Sequence, residues 1–400
     1  MTAIPLRCPA SELYPRMLAI LEALVGFDTT SDKPNLELLD YVTGLLAGNG
    51  IAVRLFRTDD GAKASLAATA AAPGQAGPGL VWFGHTDVVP VTGQSWDTGP
   101  FALEVTADRA IGRGSADMKG FIACCLAILC AADIDALPAP VTLILTHDEE
   151  VGCVGAHRLV TQMPSWLDGA EGCIVGEPTG MTVVAGHKGK QNHRFRFTGE
   201  PRHAALAPQT ASPVLAAAAL TGHAAGLSER FRTGGPHDQR FGIGHSWINV
   251  GRIDGGVKPN IVPGECTVEL EVRVIPGHSC DDIAAGLRDH AAELLAGMRE
   301  LLPSAGLTAE QLSDTPSFVI DESHEFVKRV QAALGERAAP GYVPFGTEAG
   351  LIWGIAGVPA VVCGPGHISQ AHTAGEWVAL DQLRGCLTAL LALPAGCHAP

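Results

Sequence analysis

The chain contains no apolar run long enough to span a bilayer. Its longest, Phe121–Ala132, is twelve residues, against the roughly 20 that a membrane helix needs. Met1–Pro15 lacks a basic region followed by a long apolar one, so no secretory leader and no membrane partner are expected, and the cytoplasm is the expected compartment. There is no Cys-x-x-Cys pair, which removes the usual thiolate zinc site and the dithiol redox motif. The eleven cysteines are an odd number. Cys124, Cys125, Cys130, Cys173 and Cys363 sit in apolar runs, where buried reduced thiols belong and a disulfide framework does not. Basic residues are in the minority, 27 Lys and Arg against 42 Asp and Glu for a formal net charge of -15, which argues against a nucleic-acid surface. Internal repeats are absent, and the one biased stretch, Ala67–Gly79, reads as a loop.

With 400 residues, 46% of them hydrophobic and 17% charged, the chain can bury a sizeable core in two domains or one large one. Short apolar runs bounded by Gly and Pro alternate with longer helical patterns, the mark of an α/β protein with a twisted, largely parallel sheet flanked by helices. Leu80–Phe83, Val141–Thr146, Cys173–Val175 and Val358–Cys363 read as buried strands. Each is followed by a cluster of His, Asp or Glu, and ligands of open α/β sheets bind at the carboxyl ends of the strands, so these clusters should converge. Between Gly186 and about Pro316 the pattern changes. Val268, Leu270, Val272 and Val274 alternate with Thr267, Glu269, Glu271 and Arg273, which gives a strand with one packed and one exposed face. Pro213–Leu227 reads as a helix, and Ser279–Asp282 as the capping box of another. Residues 186–316 are therefore expected to form a smaller inserted α+β domain, and 1–185 with 317–400 the larger one.

Five clusters carry the chemistry. In Gly84-His85-Thr86-Asp87, an extended backbone puts His85 and Asp87 on one side, so that the carboxylate can orient the imidazole. Asp117, in the glycine-rich run Gly112–Gly120, suits either a ligand or the simple cap of the helix that follows. His147-Asp148-Glu149-Glu150 packs acids at a buried strand end, which is costly unless cations or tight hydrogen bonds compensate. Glu177 repeats that arrangement, and His372 closes a glycine-rich loop. Together His85, Asp117, Glu150, Glu177 and His372 make a nitrogen and oxygen set suited to two zinc-like ions sharing one carboxylate. A base outside the ligand set must take a proton from water, and Glu149, beside Glu150, is placed for it.

Gly84–Pro90, Gly112–Gly120, Asp148-Glu149-Glu150, Gly176-Glu177-Pro178-Thr179 and His372 resemble the ordered motifs of the acetylornithine deacetylase and succinyl-diaminopimelate desuccinylase family of dinuclear zinc hydrolases. The resemblance covers nearly the whole chain. It implies a zinc-peptidase-like catalytic domain interrupted by a ferredoxin-like dimerisation domain, a homodimer, and two zinc or cobalt ions per chain. It further implies that His85 and Glu177 bind one ion, Glu150 and His372 the other, and Asp117 both. Glu149 is then the general base and Asp87 the support of His85. His203, in Pro201-Arg202-His203-Ala204-Ala205, reaches the partner's site, although Ala204 and Ala205 replace the usual small polar residues. Asn260 and Arg273 hold a substrate carboxylate; read without the resemblance, Arg273 is an exposed arginine on a strand.

Within the family, Gly186-His187-Lys188-Gly189, Gly346-Thr347-Glu348-Ala349 and Gln370-Ala371-His372 look most like acetylornithine deacetylases. Glu348 then faces a cationic substrate side chain, beside Thr347 and Lys188. A desuccinylase would need an extra cation for its succinyl group, for which Lys188 or Lys190 is available. A dipeptidase or carboxypeptidase would use the same site on unblocked peptides. A metal-bound homologue without activity would have no need of Glu149.

Overall fold

The four buried runs become the centre of one sheet. In the computed structural model, which describes residues 3–335 and 338–393, Leu80–His85 lies between Val141–Thr146 and Gly172–Val175, parallel to both, and Ala360–Val362 lies parallel beyond Gly172–Val175. Antiparallel strands flank this core, with Ala64–Ala70 and Val53–Arg57 on one side and Val184–His187 on the other. Every residue of Leu80–His85 and Val141–Thr146 is buried, which is why these strands read as largely apolar runs without a polar face. The Lys119–Ala131 helix is buried on nearly all sides and packs against Leu13–Gly26, Leu36–Ala47 and Leu380–Ala392.

The described residues fall into two compact units, one drawn from Met1–Gly186, Phe318–Tyr342 and Thr347–Pro400, the other from His187–Ser317 and Val343–Gly346. The 394–400 end of the expected larger domain lies outside the described residues. In the second unit the order strand, helix, strand, strand, helix, strand builds an antiparallel sheet. Its strand order is Trp247–Gly255, Glu265–Val274, Gly189–Thr198, Gly306–Thr315. Val268, Leu270, Val272, Phe195 and Phe197 point into a core shared with Ala217, Leu220 and Ala224 of the Pro213–Gly234 helix and Ile283 and Leu287 of Cys280–Leu301. The side chain of Ser279 caps the second helix, accepting from the Asp282 amide at 3.1 Å.

One expected loop is in part a strand. Ala67–Ala70 belongs to Ala64–Ala70, which pairs on both edges. Alanine has little intrinsic preference for strands, but here its small side chain fits between sheet and helices, and burial overrides propensity. The ten cysteines among the described residues are all free thiols, seven of them buried; Cys397 lies outside those residues.

Candidate metal centre

The strand ends of the first unit bring the acids and histidines together. His85 ends its strand and is buried. Its Nδ1 lies 3.0 Å from the main-chain oxygen of Asp87. A carbonyl only accepts, so Nδ1 carries a proton and Nε2 is turned to the site. There Nε2 stands 3.2 Å from Asp117 Oδ1 and 3.8 Å from Glu177 Oε1. On the other side, His372 Nε2 is 3.3 Å from Asp117 Oδ2 and 3.0 Å from Glu150 Oε2. Asp117 therefore presents one carboxylate oxygen to each histidine. It is not a helix cap: the helix begins at Lys119 with Met118 in the capping position, and no side chain caps it. The Asp117–Met118 peptide bond is cis.

The run His147–Glu150 divides in two. His147 Nδ1 meets Ser65 Oγ at 3.0 Å, and Asp148, with a left-handed φ of 58°, pairs with Lys63 at 2.5 Å. Glu149 and Glu150 go to the site. Donor atoms of His85, Asp117 and Glu150 lie within 4.8 Å of one another, and so do those of His85, Glu149 and Glu177. Asp87 does more than support the imidazole. Its carboxylate stands 3.6 Å from His85 Nδ1 and accepts from the Glu149 amide at 3.0 Å, the Glu150 amide at 3.2 Å and Ser31 Oγ at 2.8 Å. The expected orientation of His85 falls instead mainly to Asp87's own carbonyl, which is the nearer acceptor.

Crowding sets the charges. Burial and the charge of Asp117 push Glu150 up to about 8 and Glu177 well above the usual carboxylate range. Burial opposes charge on His85, yet the Asp117 hydrogen bond and the neighbouring acids raise it well above its ordinary value. Hydrogen bonds to Asp117 and Glu150 bring His372 up to about 10. Left to itself, the cluster compensates its negative charge with protons, on histidines and on acids alike. A buried set of imidazole nitrogens and carboxylate oxygens that must recruit protons in this way fits divalent cations, which would take the place of those protons.

Glu348 and Thr347 also belong to this unit, and both are buried. Thr347 Oγ1 accepts from the Ala349 amide at 3.2 Å. Glu348 Oε1 accepts from Thr146 Oγ1, while its Oε2 has no partner among the described residues, and burial pushes the acid up to about 8.

The second unit holds the remaining predicted residues. His203 is exposed on a two-residue strand paired antiparallel with Ile261–Val262, and the adjacent Ala204 amide donates to the Asn260 carbonyl at 3.0 Å, so His203 and Asn260 lie close together on one small two-stranded ribbon. Arg273 pairs with Glu271 at 2.8 Å and donates to the Pro344 carbonyl at 2.5 Å. Lys188 is buried, its ammonium donating to the carbonyls of Ile243 and His245 and lying 4.2 Å from the centre of the Trp247 ring. Most of its donor capacity is thus taken by main chain. Sequence reasoning passed over Glu376, a buried acid four residues after His372 that accepts from the Asp117 amide at 3.0 Å. Its only signal was an acid near a ligand, too common to stand out.

A family model described as peptidase family M20/M25/M40 matches residues 81–395. The chain belongs to peptidase family M20/M25/M40. M20 membership makes it a hydrolase, and the matched span contains His85, Asp117, Glu149, Glu150, Glu177 and His372. It is 32% identical over 386 residues to an acetylornithine deacetylase of Myxococcus xanthus, covering 94% of this chain and 96% of that protein. Its fold is shared by a tripeptidase from Staphylococcus aureus, with a TM-score of 0.73, 22% identity and coverage of 96% and 98% of the two chains. It is shared too by a dinuclear metal-binding M20 peptidase of Bacillus subtilis, with a TM-score of 0.67, 15% identity and coverage of 96% and 98%.

Proposed function

We propose that the protein is a two-zinc amidohydrolase that removes the acetyl group of N-acetylornithine, releasing acetate and ornithine. The observation that carries the two-metal reading is Asp117, whose two oxygens face His85 at 3.2 Å and His372 at 3.3 Å. A bridging carboxylate between two ligand sets has that form. In this reading His85 and Glu177 hold one ion, and Glu150 and His372 the other. Nitrogen and oxygen donors of this kind suit zinc and also cobalt.

When bound, such ions would lower the pKa of a water and polarise the acyl carbonyl. The chain's own residues do the rest. Glu149 takes the proton of the attacking water as its oxygen bonds to the acyl carbon, and returns it to the departing amine nitrogen as the C–N bond breaks. Asp87 fixes the amides of Glu149 and Glu150, and so the reach of both side chains. His203 is read as serving the partner subunit of a cytoplasmic homodimer, donating a hydrogen bond to the developing oxyanion, with the second unit as the dimerisation domain. Asn260 and Arg273 are read as binding the α-carboxylate, and Thr347 as a further substrate-binding residue.

Two observations favour ornithine. The relative from Myxococcus xanthus is an acetylornithine deacetylase aligned over almost its whole length, and Glu348 offers a buried oxygen that has no partner among the described residues. A cationic side chain arriving there would bring the acid back into its charged form. Of the two cations a desuccinylase could draw on, Lys188 gives its ammonium to two carbonyls, which leaves Lys190 for that alternative. The test is hydrolysis by zinc-reconstituted protein over a matrix of N-acetyl, N-formyl and N-succinyl amino acids and unblocked dipeptides. Fastest turnover of N-acetylornithine, abolished by a chelator and restored by zinc, supports the proposal. Preference for dipeptides makes the protein a peptidase, and binding without turnover sinks the catalytic reading.

A further inference from the structure

We infer that Gln94, Arg113 and Glu376 are positioning residues that tie the main chain at Asp117 to the main chain at His372 and thereby set how tightly the site holds its ions; the inference rests on the two-metal reading above. Each residue from Gly112 to Asp117 donates to Glu376. Its Oε1 accepts from the amides of Ala116 and Asp117, both at 3.0 Å. Its Oε2 accepts from the Gly114 amide at 3.0 Å and Arg113 Nη1 at 2.7 Å. Its main-chain oxygen accepts from the Gly112 amide at 2.9 Å and Ser115 Oγ at 3.4 Å. One buried acid thus holds the whole loop that ends in the bridging ligand.

The guanidinium of Arg113 carries the connection onward. Its Nη2 donates to Gln94 Oε1 at 2.6 Å, and Gln94 Nε2 donates to the His372 carbonyl at 3.0 Å. Glu376 follows His372 by four residues, so the path closes on itself. His372 has a φ of 61°, a left-handed conformation that a residue with a side chain keeps only when its surroundings hold it there. The Gln94 amide on its carbonyl is such a restraint. Arg113 and Glu376 are each 1% exposed. A buried ion pair adds little to stability compared with apolar packing, whereas fixing two ligands of one centre gives it a purpose. The neighbours of metal ligands typically change metal affinity 10-fold to 100-fold when altered.

The decisive variant is Gln94→Ala, because Gln94 is only half-buried in a surface loop and its loss removes the link to the His372 carbonyl while leaving every ligand side chain in place. Three quantities are measured on the full chain: zinc affinity by competition with a chromogenic chelator, kcat and KM, and amide exchange of residues 112–118 and 370–376 in the metal-free protein. The weaker zinc equivalent should lose about 10-fold or more in affinity, kcat should fall with KM changed less than about twofold, and exchange of 370–376 should quicken. Glu376→Gln should show a larger loss with quickened exchange at 112–118. The double variant should fall short of the product of the two single effects, since both break one path. Unchanged zinc affinity in Gln94→Ala, or a lowered Tm without a change in affinity or exchange, overturns the inference. Fewer than two ions in the unaltered chain would sink the two-metal reading instead, and the exchange data on metal-free protein would still decide the tie.

Discussion

Glu149→Ala is expected to keep both ions and lose catalysis, while its neighbour Glu150→Ala is expected to lose an ion. Glu149 and Glu150 are adjacent, and both amides are fixed by Asp87, so either truncation leaves the backbone held. What differs is the side chain's partner. Glu150 lies 3.0 Å from His372 Nε2, and its removal strips the centre on that side of one of its two private ligands. Glu149 reaches the His85 and Glu177 side, where Asp117 still offers an oxygen. In charge, Asp117, Glu149, Glu150 and Glu177 match two divalent ions, and the loss of Glu149 spares every assigned ligand. A general base is worth about 10² to 10⁴ in rate, which converts to about 3–5 kcal/mol of barrier. The assay pairs metal analysis of the reconstituted variants with kcat on N-acetylornithine. Loss of an ion in Glu149→Ala with retention of both in Glu150→Ala would exchange the two roles and refute the reasoning.

Arg273→Ala should raise KM strongly for substrates with a free α-carboxylate and much less for their amides, since a planar guanidinium suits that group; equal effects on both would leave Arg273 a structural residue that holds Glu271 and the Pro344 carbonyl. Glu348→Gln should move preference from N-acetylornithine toward neutral N-acetyl amino acids, and an unchanged ratio would make Glu348 a structural acid. His203→Ala and Glu149→Ala proteins, each nearly inactive, should on subunit exchange recover about a quarter of wild-type activity, because about half of the dimers are hybrids with one intact site; proven hybrids without recovery would confine His203 to its own chain. In the second unit, burial holds His193 down at about 4 against an unfolded value near 6.5. The unfolded chain therefore binds the extra proton between these values, and stability should fall as pH drops through about 6.5 to 4 and level off below. His193→Gln should flatten that limb, and an identical pH profile of Tm would remove His193 from it.

The parts legible in advance are those written in local pattern. Val141–Thr146 is largely apolar and carries no charge because both faces of the strand are covered, and the acids after it stand out since burial makes them expensive. Val268, Leu270, Val272 and Val274 alternate because only one face of their sheet is packed. The Pro213–Gly234 helix outruns its expected end at Leu227 for a related reason. Its last turns pack less, so the apolar period fades while Ser228 continues the contact by accepting from the Ile248 amide at 2.8 Å.

The parts that stayed hidden depend on what a polar side chain does with main chain far away. Asp87 was legible as an acid beside a histidine, but its work on the amides of Glu149 and Glu150 spans 62 and 63 residues, and amides carry no sequence signature. Lys188 looked like an available cation, and it is occupied by carbonyls whose positions depend on the fold of 243–245. Glu376 is the extreme case, since its reach to Asp117 crosses 259 residues. A cluster of carboxylates repels itself, so the ligands alone cannot hold their own geometry before metal arrives. Something outside the donor set has to do so, and its groups must themselves be polar, buried and satisfied. The acids that meet this requirement are chosen by their distance to a backbone amide, a quantity that exists only once the strands have placed their ends together.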